Sequence, residues 1–475
     1  MLLAHDPAFS EEQQRQLQRQ LADKISNYAS IDEIRTLLIT GAQPNQPVVH
    51  GLTPLHYACF INYFAAAKLL LAKGAQVDAV DEVGCSALHL CAEHGYYRMI
   101  KLLLEYMETV RQYEVPKIPD SGTRYPSRET VDEPLRLAIQ NGHYECARLL
   151  LEKGASPNSV YFDGPEITHV SALDVNFIEL LLSYGANPNV FDRKGLTPMM
   201  RACRFKNNGI DAIKLLIKYG ADVNTHADDR QDKRTALHYA CLSGSIQLVK
   251  FLIENGARVN MDKEFDKPSP LDMAVLKDDP EMIKVLLEAG VNINAVHSAI
   301  GSALHLAACS TLANKREVVR TLLENGADVN MQHVYPDGAS LKSPFVEYFK
   351  STDKVDPQIV ALFLAYGARV IMRAPINDRR GQLRNVLRLT ATRETPEVLE
   401  SLLSLAEEFD TMAIDRLPLP QILKGDILGR ARNPSSLQQL CRLRLRTTLT
   451  PFTPSNVHSL PLPTYLKLYI LGLTC

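Results

Sequence analysis

Short apolar bursts recur along most of this chain, and many of them close on the same punctuation. A leucine pair or Leu-Ile leads within two residues to Gly-Ala or a close variant, as in Leu252-Ile-Glu-Asn-Gly-Ala257. The glycine falls at Gly41, Gly74, Gly154, Gly185, Gly220, Gly256, Gly290, Gly326 and Gly367. The spacing is nearly constant from each marker to the next, except between Gly74 and Gly154, where it is more than doubled. That wide gap holds a further unit, Ser86-Ala-Leu-His89 to Leu102-Leu-Leu104, plus an insertion. A near-fixed period of this size is the mark of a repeat array. The pattern predicts about ten units over residues 30–370.

Each unit also opens in a characteristic way. Thr53-Pro-Leu-His56, Ser86-Ala-Leu-His89, Thr235-Ala-Leu-His238, Ser269-Pro-Leu-Asp272 and Ser302-Ala-Leu-His305 each place an N-cap hydroxyl before a residue suited to a first helical turn. The closing glycine suits a left-handed helix C-cap. The opening leucine leads that glycine by one constant distance at Leu55, Leu135, Leu237 and Leu271, room for two short antiparallel helices. Three units depart from this. Leu173 stands much closer to Gly185, so irregular structure is expected there, while Leu304 to Gly326 and Phe345 to Gly367 are slightly longer than the rule. The stretch Met107–Asp132, with Pro116, Pro119, Gly122 and Pro126, reads as an inserted loop and carries Tyr113 and Tyr125.

These openings and closings resemble the ankyrin repeat, with its Thr-Pro-Leu-His-x-Ala core. The resemblance implies an all-α, ankyrin-repeat solenoid of about ten repeats. It also implies that His56, His89, His238 and His305 are structural groups bonding neighbouring loops, in preference to a metal or catalytic role.

Both ends lie outside the array. In residues 10–28, Ser10 and Gln13 form a capping box, and Leu17, Leu21, Ile25 and Tyr28 form a narrow apolar stripe. A helix capping the first repeat is expected, with a coiled-coil strand as the alternative. Past Gly367 a closing helix pair is expected in 371–425, most helical over Glu394–Glu408. Further on, Asn433 and Pro434 suit a helix start, and Leu437, Cys441, Leu445 and Leu449 recur every fourth residue with Leu440 beside them. Arg430, Arg432, Arg442, Arg444 and Arg446 share this stretch with no acid between them, and a solvated arginine face is the plain expectation. Leu460-Pro-Leu-Pro463 follows, then a second helical segment from Thr464. Another Leu-Pro-Leu-Pro, Leu417–Pro420, precedes the helix and is read as linker.

This C-terminal pair resembles the SOCS box. Ser436, Leu437, Cys441 and Leu445 match its elongin-binding motif, and Leu460, Pro461, Leu462 and Pro463 match its cullin-5 motif. The whole chain is similar to the ankyrin repeat and SOCS box (ASB) family. Four regions are expected: a capping helix at 1–29, repeats at 30–370 with the insert 107–132, closing helices and linker at 371–424, and a small helical SOCS box at 425–475.

The resemblance implies a substrate receptor of a ubiquitin ligase built on elongin B, elongin C and cullin-5 with a RING protein. Elongin C would take Ser436, Leu437, Leu440, Cys441 and Leu445, and cullin-5 would take Leu460–Pro463. Target proteins would meet the finger turns and inner helices, with Asp81, Glu82, Asp192, Arg193 and Lys194 as candidates. Asn224 and Asn330 sit in Leu-(five residues)-Asp-Val-Asn, similar to a pattern that an asparaginyl hydroxylase modifies in ankyrin repeats; bonding within its own turn is the competing role for each. A plain ankyrin scaffold that recruits no ligase would share the chain as far as the end of the repeats.

Composition narrows the alternatives. Lys+Arg 52 against Asp+Glu 54 leaves a net charge of −2, which offers no global field for nucleic acid or an anionic membrane. No apolar run approaches the length that spans a bilayer, and the N-terminal text reaches Asp6 before any secretory apolar region forms. A soluble intracellular protein is therefore expected, in the cytoplasm or also the nucleus. The nine cysteines contain no Cys-x-x-Cys and sit mostly in helical text as small hydrophobes. No Gly-rich phosphate loop, zinc spacing or G-x-S-x-G occurs, so no cofactor and no catalysis by the chain itself are expected.

Overall fold

A computed structural model describes residues 11–107, 132–262, 267–297, 300–334, 340–352, 354–373, 396–432, 436–449 and 451–472. Ser10, Asn433, Pro434 and all but the two end residues of the 107–132 insert lie outside them. The chain forms two compact units, Met1–Gln231 and Asp232–Cys475.

Among the described residues of the first unit, the helix pair is the repeating element. The second pair, Pro54–Phe60 and Phe64–Ala72, shows how it is made. Thr53 is extended, Pro54 opens the helix, and the Thr53 hydroxyl and N–H both engage His56 Nδ1, at 2.8 and 3.2 Å. Leu55, Ala58 and Cys59 from one helix pack against Ala66, Ala67 and Leu70 from the other, all essentially without solvent contact. At the end of the pair the Ala75 N–H donates to Leu70 O and the Gly74 N–H to Leu71 O, each at 3.0 Å. These two bonds require φ of +84° at position 74, which glycine adopts without strain. Hence the periodic glycine.

Six such units lie in the first part, with described helices from Glu11–Ser26 to Ile210–Lys218, and four in the second, from Ala236–Ser243 to Pro357–Ala365. Helix Glu11–Ser26 packs on both Ile31–Thr40 and Pro54–Phe60 and so covers the start of the array. Its buried Gln18 donates to Gln43 O and Gln46 O, each at 2.8 Å, and accepts from the Gln43 N–H at 3.1 Å. The short fifth unit is irregular, as expected. A small hairpin, Val160–Tyr161 with Gly164–Pro165, and a 3-10 turn, Glu166–Thr168, stand where its first helix would be.

After Pro357–Ala365 comes strand Val370–Met372, fully buried, then helix Pro396–Ser404 packed on Pro357–Ala365, then strand Ala406–Phe409. The two strands pair in parallel, Val370 opposite Ala406 and Met372 opposite Phe409. Strand pairing was not expected here: three consecutive apolar residues carry no period, and the partner lies far along the chain. Two helices, Thr411–Arg416 and Gln421–Arg432, pack together, and the second spans the expected 424/425 boundary. The Leu417–Pro420 segment joins them as an ordered turn, with Leu419 buried. The chain then forms Leu437–Thr448, the short Pro454–His458 and Thr464–Leu471.

Candidate functional site

The three C-terminal helices form a small domain with its own core. Val457, Ile470 and Leu471 are buried at its centre, and Leu445, Leu449, Phe452 and Leu462 pack around them. Ser436 starts the first helix by accepting the Gln439 N–H at 3.1 Å. The fourfold spacing then divides the helix into two faces, and the faces are the reverse of the plain expectation for arginine. Leu437 and Leu440 are 78% and 53% exposed, and Cys441 is exposed too. Leu445 faces the domain's own core.

The inward face carries Arg442 and Arg446. Arg446 donates from one guanidinium nitrogen to Leu364 O at 2.7 Å and Ala368 O at 3.4 Å. Its other terminal nitrogen reaches Ile470 O at 3.1 Å and Leu471 O at 3.4 Å. It therefore clamps the end of the last repeat to the end of the C-terminal helix. Burial holds its pKa down to about 10, helped by Arg442, so it is charged at neutral pH. Its guanidinium lies 4.8 Å from the Phe452 ring, and that of Arg442 lies 4.4 Å from Tyr469. The expected solvated arginine face is thus corrected at both positions: a planar fork with five donors satisfies helix-end carbonyls that no apolar side chain would. A signal was present in the sequence, since positions 442 and 446 are one helical turn apart and across the helix from Leu437 and Leu440.

Downstream, Leu460 and Leu462 are half-buried while Pro461 and Pro463 are exposed. Helix Thr464–Leu471 follows directly, with Tyr465 60% exposed. The outer surface of this domain is therefore apolar in two places, Leu437–Cys441 on one helix and Pro461–Tyr465 at the start of another.

The candidate target contacts are not alike. Glu82 and Lys194 are exposed. Arg193 is exposed but stacks over Phe162 at 3.8 Å, and its N–H donates to Asp163 O at 2.8 Å. Asp192 is 3% exposed, accepts the Lys194 and Leu196 N–H groups at 2.8 and 2.9 Å, and pairs with Arg201 at 2.9 Å. It builds the finger turn and is removed as a contact residue. Asp81 builds its own turn through the Val83 and Cys85 N–H groups.

Asn330 is also occupied. Its side chain donates to Gly367 O and accepts the Arg369 N–H, each at 2.9 Å, while its backbone N–H bonds Asp328 within its own turn. The side chain thus reaches the following repeat, not its own turn. Asn45, Asn158, Asn189, Asn260 and Asn294 do the same with the glycine carbonyl of the repeat that follows each. At Asn224 the backbone N–H donates to Asp222 at 2.8 Å.

The repeat histidines are structural. His56 Nε2 donates to Cys85 O at 3.1 Å and His305 Nε2 to Lys342 O at 2.8 Å, each reaching the next repeat while Nδ1 serves its own cap. Burial lowers both pKa values and takes His89 to about 4. Among the described residues no group of three or more His, Cys, Asp or Glu is placed to hold a metal, and no helix is long and apolar enough to cross a membrane.

A stack of glycine-closed helix pairs, many of them tied within each unit by an asparagine or histidine bond to the repeat that follows, defines an ankyrin-repeat protein. Comparison with family models agrees: ankyrin repeats match residues 24–113, 135–227, 167–264, 225–297 and 260–333, and a SOCS box matches residues 433–471. With both elements in one chain, the protein belongs to the ankyrin repeat and SOCS box (ASB) family. Among curated proteins it is 30% identical over 231 residues to ankyrin repeat and KH domain-containing protein mask-1 of Caenorhabditis elegans, covering 47% of this chain and 8% of that protein. It is 31% identical over 241 residues to the mouse B-cell lymphoma 3 protein homolog, covering 49% of this chain and 42% of that protein. Among solved structures, the ankyrin repeat domain of Bcl-3 matches at 22% identity and a TM-score of 0.35, covering 59% of this chain and 98% of that one. The chain spans less than two thirds of the length of the curated relatives it matches.

Proposed function

We propose that this protein is the substrate-recognition subunit of an elongin B/C–cullin-5–RING ubiquitin ligase, acting in the cytoplasm. The observation that carries this reading is the exposed Leu437–Leu440–Cys441 face on a helix whose opposite side is locked to the last repeat by Arg446. Large apolar side chains held out from a rigid helix suit insertion into a hydrophobic groove. Elongin C would receive Leu437, Leu440 and Cys441, with Ser436 and Leu445 at the margin of the contact. Leu460, Pro461, Leu462 and Pro463 would set the cullin-5 surface.

The chain does no chemistry in this reading. The repeats hold a target, the box holds the scaffold, and their joining in one chain raises the concentration of target lysines near the ubiquitin-charged enzyme. The target would lie against the finger turns, with Glu82, Arg193 and Lys194 as reachable charges. The test is capture of targets by the full chain with ligase activity blocked, followed by ubiquitin transfer to a trapped target in a reconstituted complex. A plain ankyrin scaffold would capture proteins without elongin C and would support no transfer.

A further inference from the structure

The segment preceding the box repeats part of it. Leu417-Pro-Leu-Pro-Gln-Ile-Leu-Lys-Gly-Asp-Ile-Leu428 and Leu460-Pro-Leu-Pro-Thr-Tyr-Leu-Lys-Leu-Tyr-Ile-Leu471 agree at both leucines and both prolines, and then at Leu423 and Leu466, Lys424 and Lys467, Ile427 and Ile470, and Leu428 and Leu471. The structure repeats with the sequence. Each segment follows a short helix, Thr411–Arg416 or Pro454–His458, and leads into another, Gln421–Arg432 or Thr464–Leu471. Asp410 caps the first short helix through the Ala413 N–H at 2.9 Å, and Thr453 caps the second through the Asn456 N–H at 3.2 Å.

The correspondence extends to individual bonds. Leu417 N–H donates to Ile414 O and Leu460 N–H to Val457 O, each at 3.2 Å. Leu419 N–H donates to Leu417 O at 2.9 Å, and Leu462 N–H to Leu460 O at 2.8 Å. Lys424 Nζ reaches Asp415 O and Lys467 Nζ reaches His458 O, an equal step back along the chain. Ile414 and Val457 are fully buried, as are Ile427 and Ile470 to within a few per cent. The prolines are exposed in both copies. So are Ile422, at 91%, and its counterpart Tyr465, at 60%. A linker has no reason to reproduce a capped turn bond for bond, nor to hold an isoleucine wholly in water.

We infer that Pro418, Pro420 and Ile422 form a second docking surface for the cullin that Pro461, Pro463 and Tyr465 engage. This rests on the cullin-5 reading of the downstream copy. The upstream copy presents the same outward apolar edge on the same scaffold of caps and turns. It differs behind that edge, where Gly425 and Asp426 replace Leu468 and Tyr469. The upstream surface is accordingly the weaker of the two, because no elongin contact lies beside it.

The test uses the full chain co-purified with elongin B and elongin C, titrated with the cullin-5 N-terminal domain and read by native mass spectrometry. The wild type is expected to take up a first cullin domain and, at higher concentration, a second. Pro418→Ala with Ile422→Asp stops at one domain. Pro461→Ala with Tyr465→Asp leaves one weakly bound domain, at least tenfold weaker than the first, and the fourfold variant loses it. All four side chains are exposed, so unchanged melting temperatures establish that each variant is folded. A wild type that saturates at one domain, or an upstream variant that still takes two, overturns the second surface while leaving the first intact. A wild type that binds no cullin at all overturns both.

Discussion

Replacing Glu166 by Gln should remove a pH dependence from the irregular fifth repeat. Glu166 sits in the 3-10 turn that stands for the missing helix and is 0% exposed. Its carboxylate oxygens have no donor at full hydrogen-bond geometry among the described residues; the Arg136 charge and the Tyr161 hydroxyl act on it from near by. Burial raises its pKa from the usual 4.5 to about 7, with Asp132 and Glu133 adding to the rise and Arg136 and Tyr161 opposing it. The neutral acid is therefore the form that the fold prefers. Below about pH 4.5 the acid is protonated folded and unfolded alike. As pH rises towards 7 the unfolded chain ionises first, and the folded repeat loses stability until its own carboxyl ionises; above that the loss is constant. At 1.36 kcal/mol per pH unit the full loss is about 3 kcal/mol, an upper figure because neighbouring charges relax. His169, whose pKa burial lowers, loses stability in acid instead, but it is common to both proteins and cancels in their difference. The assay is hydrogen exchange of the amides in residues 159–182 for wild type and Glu166→Gln across that range, corrected for intrinsic rates. The wild type should lose about 3 kcal/mol of local protection relative to the variant as pH rises. Equal pH dependence in the two proteins would refute the argument. The hairpin of this repeat also carries Phe162 and Asp163, which hold the proposed target contact Arg193 in place.

Three further outcomes are expected. Glu82→Lys with Lys194→Glu, both at exposed positions, should weaken capture of trapped targets at unchanged melting temperature, measured by quantitative affinity purification; full retention of every target would remove the finger turns from the binding surface. Asn330 should resist an asparaginyl hydroxylase while folded, because its amide is bonded to the next repeat. Peptide mass spectrometry showing an added oxygen there in the folded protein would contradict this, and Asn330→Ala should cost about 1–3 kcal/mol in a thermal melt by orphaning the Gly367 carbonyl and Arg369 N–H. Leu460→Ala with Pro461→Ala should spare elongin C and lose most cullin-5 in a pull-down; full cullin-5 recovery would refute the assignment of that segment.

Repeats were legible in the sequence because each one spells out its own ends. Gly74 must supply a positive φ, and Thr53 with His56 must close a cap, so the residues announce the geometry. What stayed hidden depended on partners distant in the chain. Val370–Met372 pairs with a strand that begins only at Ala406. Arg446 finds its carbonyls far back along the chain, at Leu364 and Ala368. A charged residue in an exposed-looking stripe reads as surface until the helix end that needs its donors is known. Asp192 misled for a related reason: a turn residue with a charge looks like a contact, yet its oxygens are spent on the turn itself. The resemblance to a SOCS box marks Leu437, Leu440, Cys441 and Leu445 alike, whereas the fold divides them, leaving Leu437, Leu440 and Cys441 outside and Leu445 half inside.

Elongin C binding by the Leu437→Ala, Cys441→Ala double variant tests the central claim most directly. Because Leu437 is 78% exposed and Cys441 is exposed, neither truncation should lower the melting temperature of the free chain. Truncating a hot-spot anchor costs about 2–4 kcal/mol, and about 1.4 kcal/mol is a factor of ten. Affinity for an elongin B/C complex, measured by titration calorimetry, should therefore fall by roughly a thousandfold or more while target capture persists. An unchanged affinity in a folded double variant would contradict the account, and the chain would then be an ankyrin scaffold that recruits no ligase.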